Sequence, residues 1–525
     1  MIVVKRFLLF AVPSLFCLHT YAQKAKLEWG DMEKKSKFAP ALVRILKGPP
    51  NELITVSFKA ESGKTITPIL ARFDKDLNQV AEKELSTSES NVYFHSVHNL
   101  KDQIFLFTRK YDKDEKFTSL HSTQIDPQTL QITGTKELGS FEAISKKKQA
   151  DISIRTSADT SSILVFAAAP YNKKENEKFY IGVWDSKMNK QWDKLITLPY
   201  EDKYITLEGF EVSNEGEVYV MCKHYDKEVK RERVREDGED VPSYKYKILI
   251  YAKNENNPKE YTIDFQNKFV HDVALQFNSD GNINLVGLYK NKYNGKVTGS
   301  FITALDKKTK QVNVKKMEEF PIDDLLTLLD KDNVASNGSK DPGLHGRFKI
   351  MGTNKRNDGS IDLLTEYNYW YIVRSRQSNG WYTEYPVYVA NDIVVINYKK
   401  DGKVAYTRVP KYQREANTNV HISFKWMNQN DKLLLFFNDD KDNVDRDLSK
   451  KPDDVTNFKK SVFVMAVING KGDLQRQAAY SNSDLELATK ITSCEVISSD
   501  ALILYAEKLR LMGKTSYQFG RLKLL

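Results

Sequence analysis

The sequence predicts an all-β fold, a single β-propeller, and three observations carry that prediction. Eight times a short polar turn runs directly into an apolar stretch: Asn51-Glu52 before Leu53–Val56, Lys101-Asp102 before Ile104–Phe107, Asp159-Thr160 before Ile163–Phe166, Glu215-Gly216 before Val218–Met221, Asp280-Gly281 before Ile283–Val286, Asp358-Gly359 before Ile361–Leu364, Asn430-Asp431 before Leu433–Phe437 and Ser499-Asp500 before Leu502–Tyr505. The copies recur every roughly 50–80 residues with no long helical pattern between them, the spacing of a radial β array. A second kind of turn also recurs, an apolar strand end followed by an acid or amide. Its copies are Phe73-Asp74, Ile125-Asp126, Trp184-Asp185, Leu305-Asp306 and Ile468-Asn469, with degenerate copies at Tyr251-Ala252 and Tyr398-Lys399.

Taken in order, the chain opens with an export pattern: basic Lys5 and Arg6, an apolar core Phe7–Leu18 and the small-residue end Thr20-Tyr21-Ala22, so residues 1–22 read as a signal peptide and Gln23 as the first mature residue. Cys17 follows bulky Phe16, which argues against lipid attachment and for soluble export, to the periplasm, in association with the outer membrane, or outside the cell. No other apolar stretch is long enough for a membrane helix. Residues 23–525 form the propeller, with 321–347 inserted between the fifth and sixth units. Lys26–Glu33, around Trp29, reads as a strand that completes the last unit.

Each unit is expected to hold four strands, A to D. Unit five is the plainest: Val270–Phe277, turn Asn278–Gly281, Ile283–Tyr289, loop Lys290–Thr298, Phe301–Leu305, turn Asp306–Thr309 and Gln311–Met317. Asp or Asn heads the C–D turns because its side chain accepts from backbone amides just ahead of it. There are eight A–B turns but seven C–D turns, because the final unit stops at Gln518–Leu525, its third strand. A D strand supplied from the amino-terminal end closes the ring and removes an open edge. The expectation is eight four-stranded blades, with seven as the alternative. Cys222 and Cys494 then lie in units on opposite sides of the ring and stay free thiols.

In a propeller the A–B and C–D turns share one face, and the B–C loops and D–A crossovers share the other. The first set is short throughout. The long segments are Lys223–Tyr244 in unit four, Pro321–Arg347 between units five and six, Tyr367–Asn391 in unit six and Asn438–Lys460 in unit seven, all on the second face. Long loops on a rigid scaffold are where binding concentrates. The unit-six insertion holds Tyr367, Tyr369, Trp370, Tyr371, Trp381, Tyr382, Tyr385 and Tyr388, with Gly380 at a hairpin tip. Such rings suit protein or sugar contact, and they also brace an extended hairpin through cross-strand pairs. His345 and Arg347 are candidate anion-binding groups beside it. The unit-seven loop, with Asp439, Asp440, Asp442, Asp445 and Asp447, fits no complete calcium loop, carries Lys441 and Arg446, and reads as a solvated acidic loop. Lys227–Asp240 reads as a charged hairpin, and Pro321–Leu329 as the one helical piece.

The formal charge is +10, about +8 without Lys5 and Arg6, but acids and bases interleave, and no nucleic-acid motif, phosphate loop, nucleophile elbow or zinc motif occurs. No cofactor or metal is expected, and no catalytic residue is assigned. His95 and His98, three apart on a strand, are expected on opposite faces.

The stretch Tyr388-Val389-Ala390-Asn391-Asp392-Ile393-Val394-Val395-Ile396, with Asp401-Gly402-Lys403, Val409-Pro410-Lys411 and Leu435-Phe436-Phe437-Asn438-Asp439, resembles uncharacterised secreted propeller-like proteins of Bacteroidota. The resemblance implies an exported envelope protein and brings no catalytic residue with it. The reading taken forward is a non-enzymatic binding or scaffold protein whose loop face holds an envelope protein or a glycan. The alternative is a glycan-active lyase or hydrolase with its site at the axial mouth of that face.

Overall fold

The computed structural model describes residues 23–35, 41–60, 66–85, 92–172, 174–226, 232–277, 283–306, 311–321, 343–376, 381–508 and 515–525. The export segment 1–22, all of the expected helix beyond Pro321, the hairpin tip at Gly380, the turn at 278–281 and residues 227–231 lie outside them.

Among the described residues, eight sheets of at least four strands follow one another along the chain, each antiparallel and, with one exception, with its strands in chain order. Blade five pairs Phe269–Phe277, Ile283–Lys290, Gly299–Asp306 and Gln311–Glu319, within two residues of the expected bounds. The second and third strands are sandwiched between neighbouring sheets and are buried on both faces, which makes them continuous apolar runs. Leu433–Phe437 and Val462–Ile468 of blade seven are buried throughout. Outer strands alternate instead, as in Lys190–Glu201 of blade three.

Eight apolar clusters fix the count. Ile54, Val56 and Leu70 of blade one meet Val97, Ile104 and Leu106 of blade two. Six more clusters join blades two to three, three to four, four to five, five to six, six to seven and seven to eight. The eighth returns Ile503, Tyr505 and Phe519 of blade eight to Ile45, Leu53 and Phe73 of blade one. One interface per adjacent pair, with the last returning to the first, is a closed ring of eight.

The exception in strand order is the closure itself. Ala25–Trp29 and Glu33–Lys35 pair with Thr515–Leu524, the third strand of blade eight, and act as its fourth. The register runs from Ala25 opposite Leu524 to Trp29 opposite Gly520. Gly30 N donates to Phe519 O at 3.0 Å, Leu525 N donates to Lys24 O at 3.0 Å, and Trp29 meets Tyr480 of blade seven edge-on at 5.4 Å. Glycine at 520 is required, because a Cβ there would stand 2.8 Å from the Trp29 ring.

The first strands of successive blades approach one another and form the inner collar. Their side chains reach the next blade's backbone: Arg44 Nη1 donates to Val97 O at 2.7 Å, His95 Nε2 lies 3.0 Å from Ile152 O and His271 Nε2 lies 2.8 Å from Phe348 O. On the turn face a second belt links A–B turns. Lys101 N donates to Thr160 Oγ1, Asp159 N to Asn214 Oδ1 and Asn357 N to Asp431 Oδ1. Asp74, Asp126, Asp185 and Asn469 accept from backbone amides two to four residues ahead, so these residues are turn formers. Cys222 and Cys494 are buried free thiols in separate interfaces, and burial pushes each up to about 12.

The expectation for His95 and His98 fails. The first strand of blade two bulges between Phe94 and Ser96, and the extra residue is His95. His95 Nδ1 and His98 Nε2 both lie 3.0 Å from Ser96 Oγ, on one side of the strand. Burial lowers both imidazoles, His98 to about 3, so they are neutral structural groups.

Candidate functional site

The second and third strands of blade six, Ile361–Arg376 and Tyr382–Tyr398, run on past their sheet. The first strand stops pairing at Tyr367 and the fourth at Val387, so Asn368–Tyr371 continue in a three-stranded stretch and 372–376 with 382–386 as a two-stranded ribbon above the loop face. The described part of this insertion is regular paired structure, in keeping with the extended-hairpin reading.

Alternation divides its aromatic residues between two faces. On one, Tyr367, Tyr369 and Tyr371 form a ladder with ring centroids 5.3 and 6.1 Å apart. The Arg347 guanidinium lies 3.8 Å over Tyr369, and His345 meets Tyr367 edge-on at 5.5 Å. Arg347 N donates to His345 Nδ1 at 3.2 Å, and burial with Lys296 and Arg347 nearby holds the imidazole below its usual range. The structure thus gathers His345, Arg347 and the three tyrosines, and Tyr367 is buried at 5% exposure. These groups brace the base of the ribbon.

The other face holds Trp370, Ile372, Arg374 and Tyr382, and Arg374 lies 4.2 Å over the Tyr382 ring. Trp370 is 60% exposed, Ile372 51%, Tyr382 53%, and Trp381 at the end of the described ribbon 75%. Tyr385 is half-buried, and Tyr388 packs at the foot with Ile422, Val455 and Phe458. Of the expected aromatic set, Trp370, Trp381 and Tyr382 are the strongly presented members.

Beneath the ribbon lies a buried polar seam that the sequence reading did not find. Lys411 Nζ sits 2.7 Å from Glu366 Oε1, both side chains fully buried, and donates to Ala390 O and Gln413 Oε1. Glu366 Oε2 accepts from Asn368 Nδ2 and Ser423 Oγ. Gln413 Nε2 donates to Asn438 O, and Asn438 Nδ2 donates to His421 O and Thr489 O. Glu415 takes His421 Nδ1 at 2.5 Å and His421 N at 3.0 Å. Asp392 pairs with Arg408 in the same seam, whereas Asp362 pairs with Arg356 at the turn-face end of the blade, each with side chains under 4% exposed. The only cue in the sequence was charge inside the apolar runs Tyr388–Ile396 and Val409–Lys411.

The blade-seven insertion is tied onto this seam. Val455 bridges in parallel to Gln413, with Val455 N donating to Tyr412 O and Arg414 N to Val455 O. The reading of that loop as solvated is corrected at Asp439, which is fully buried and bonds to Asn443 Nδ2 and Asp440 N. Burial pushes its carboxyl up to about 7. Asp440, Asp442 and Asp453 do gather their carboxylates at the surface. In blade four, Arg233–Glu236 and Glu239–Pro242 form the expected charged hairpin, and Arg233 lies 5.2 Å over Tyr293 of blade five.

No protein-family model matches the chain, and no curated protein matches it. Solved structures that resemble it include the β-propeller domain of the Trilobed protease from Pyrococcus furiosus, at 12% identity and TM-score 0.34, covering 85% of this chain and 98% of that one. The WD40 domain of SCAP from fission yeast resembles it at 7% identity and TM-score 0.37, covering 95% and 94%. Prolyl oligopeptidase B from Galerina marginata does so at 8% identity and TM-score 0.40, and the match takes in 90% of this chain but 56% of that one. At these scores the likenesses carry no argument about the site. Fold and site together define a β-propeller whose loop face carries an aromatic ribbon of paired strands.

Proposed function

We propose that this chain is a non-enzymatic binding or scaffold protein of the bacterial cell envelope that holds a protein or glycan partner on its loop face. The observation that carries the reading is the ribbon: Trp370, Ile372 and Tyr382, on strands, and Trp381, just before the second of them, are each more than half exposed above a buried seam. Rings carried on paired strands bind with a smaller backbone entropy cost, since the backbone is already ordered. The export pattern at residues 1–22 and the resemblance to secreted propeller-like proteins support an envelope location, and no helix among the described residues is long and apolar enough to cross a membrane.

The glycan-active reading calls for acid, base or imidazole groups open to substrate. Glu415 and His421 have that chemistry but are less than 10% exposed under the seam, which weighs against them. A pull-down from envelope extract tests the proposal. The intact protein recovers a partner, and the Trp370→Ala/Trp381→Ala protein, with an unchanged melt, loses it; equal recovery by both refutes the ribbon as the site.

A further inference from the structure

The turn face, featureless in the sequence pattern, carries its own charged notch. Between blades five and six an open cavity of about 660 Å³ is lined by Lys316, Lys355, Lys399, Lys400 and Lys403, against one acid, Asp401. The Lys399–Lys403 turn is fixed by Lys399 N to Lys403 O at 2.8 Å and Gly402 N to Lys399 O at 3.0 Å, with Gly402 at φ +82°. Lys316 pairs with Glu318 at 3.4 Å and Lys403 with Asp401 at 3.5 Å, both partly exposed and weak. Lys355, Lys399 and Lys400 have no ion pair within 4 Å among the described residues, although Lys399 lies near enough to Asp358 and Asp401 to lower both carboxylates.

Blade geometry alone does not dictate this charge. The notch between blades three and four, about 600 Å³, is lined by Asp185, Glu215, Glu217 and Glu255 with a single lysine, Lys253. Similar cavities on one ring thus carry opposite charge. Lysines with no arginine among them supply point charges instead of planar forks, which suits a compact, multiply charged anion over a lone carboxylate.

We infer that the notch between blades five and six binds a compact phosphate-rich anion, at a site separate from the ribbon. Titration calorimetry with inorganic tripolyphosphate tests this, with citrate as the carboxylate comparison. The intact protein binds tripolyphosphate more tightly than citrate, and added salt weakens binding. Lys355→Glu/Lys400→Glu reduces affinity about tenfold or more, whereas Lys147→Glu/Lys148→Glu, an equal change in net charge at exposed residues elsewhere, leaves it within about twofold. The milder Lys400→Ala/Lys403→Ala protein weakens binding too and guards against a folding defect. Trp370→Ala/Trp381→Ala retains tripolyphosphate binding, which keeps this outcome independent of the ribbon. Vesicles bearing phosphatidate distinguish a lipid headgroup from a free anion as the source of the phosphate. Absence of binding at low salt, equal losses in the two charge-reversed proteins, or tighter citrate binding overturns the inference.

Discussion

Lys411 has no exposed surface, and its ammonium is held by Glu366, Ala390 O and Gln413 Oε1. Burial pulls its pKa down, and the adjacent Glu366 carboxylate opposes that. Breaking such a pair strands a charge, whereas replacing both members does not. Lys411→Met is therefore expected to cost about 3–5 kcal/mol in denaturant unfolding, and Glu366→Gln/Lys411→Met to recover most of it. A loss below about 1 kcal/mol in the single variant contradicts the role given to the pair. Asp439 behaves in the opposite sense. Its folded pKa, near 7, lies above the ordinary 3.8, and its Oδ2 has no hydrogen-bond partner among the described residues. Between those values the folded state holds a proton that the unfolded state has released, so its contribution falls as pH rises from about 4 to 7, by at most about 1.4 kcal/mol per pH unit. Asp439→Asn should raise the melting temperature at pH 7.5 and make little difference at about pH 4. A difference that does not vary with pH disproves the assignment.

The amino-terminal strand and the ribbon show which elements can be read from sequence. The eight apolar runs were legible because each is a second strand buried on both faces. The missing C–D turn pointed correctly to Ala25–Trp29, since a count of turns needs no tertiary detail. The ribbon was legible as an extended hairpin, but the facing of its rings was not. Deciding which ring faces out depends on where the neighbouring first and fourth strands stop, at Tyr367 and Val387. His95 and His98 were misread because one bulge resets alternation, and nothing local marks it. Lys411, Gln413 and Glu415 alternate along one strand, but the seam was missed because their partners Glu366, His421 and Asn438 come from other strands and a crossover. Deleting residues 23–35 exposes the edge of Thr515–Leu524 and removes Trp29 from blades seven and eight. A lower midpoint for the single cooperative transition is expected, and an unchanged melt rules out the closure.

At the scale of the molecule, eight interfaces and two belts of side chain–backbone bonds make the ring one rigid support. The turn face is held by its own short turns. The loop face has freedom to vary, and it carries the blade-four hairpin, the ribbon and the blade-seven loop. That asymmetry is the physical basis for placing the partner above blade six. The most direct measurement is photocrosslinking in envelope extract, with a photoreactive residue at position 370 or 381 on the ribbon and, for comparison, at exposed Lys471 on the turn face. The account predicts a discrete crosslinked partner from positions 370 and 381 and none of that species from 471. The same species from all three positions, or from 471 alone, contradicts it.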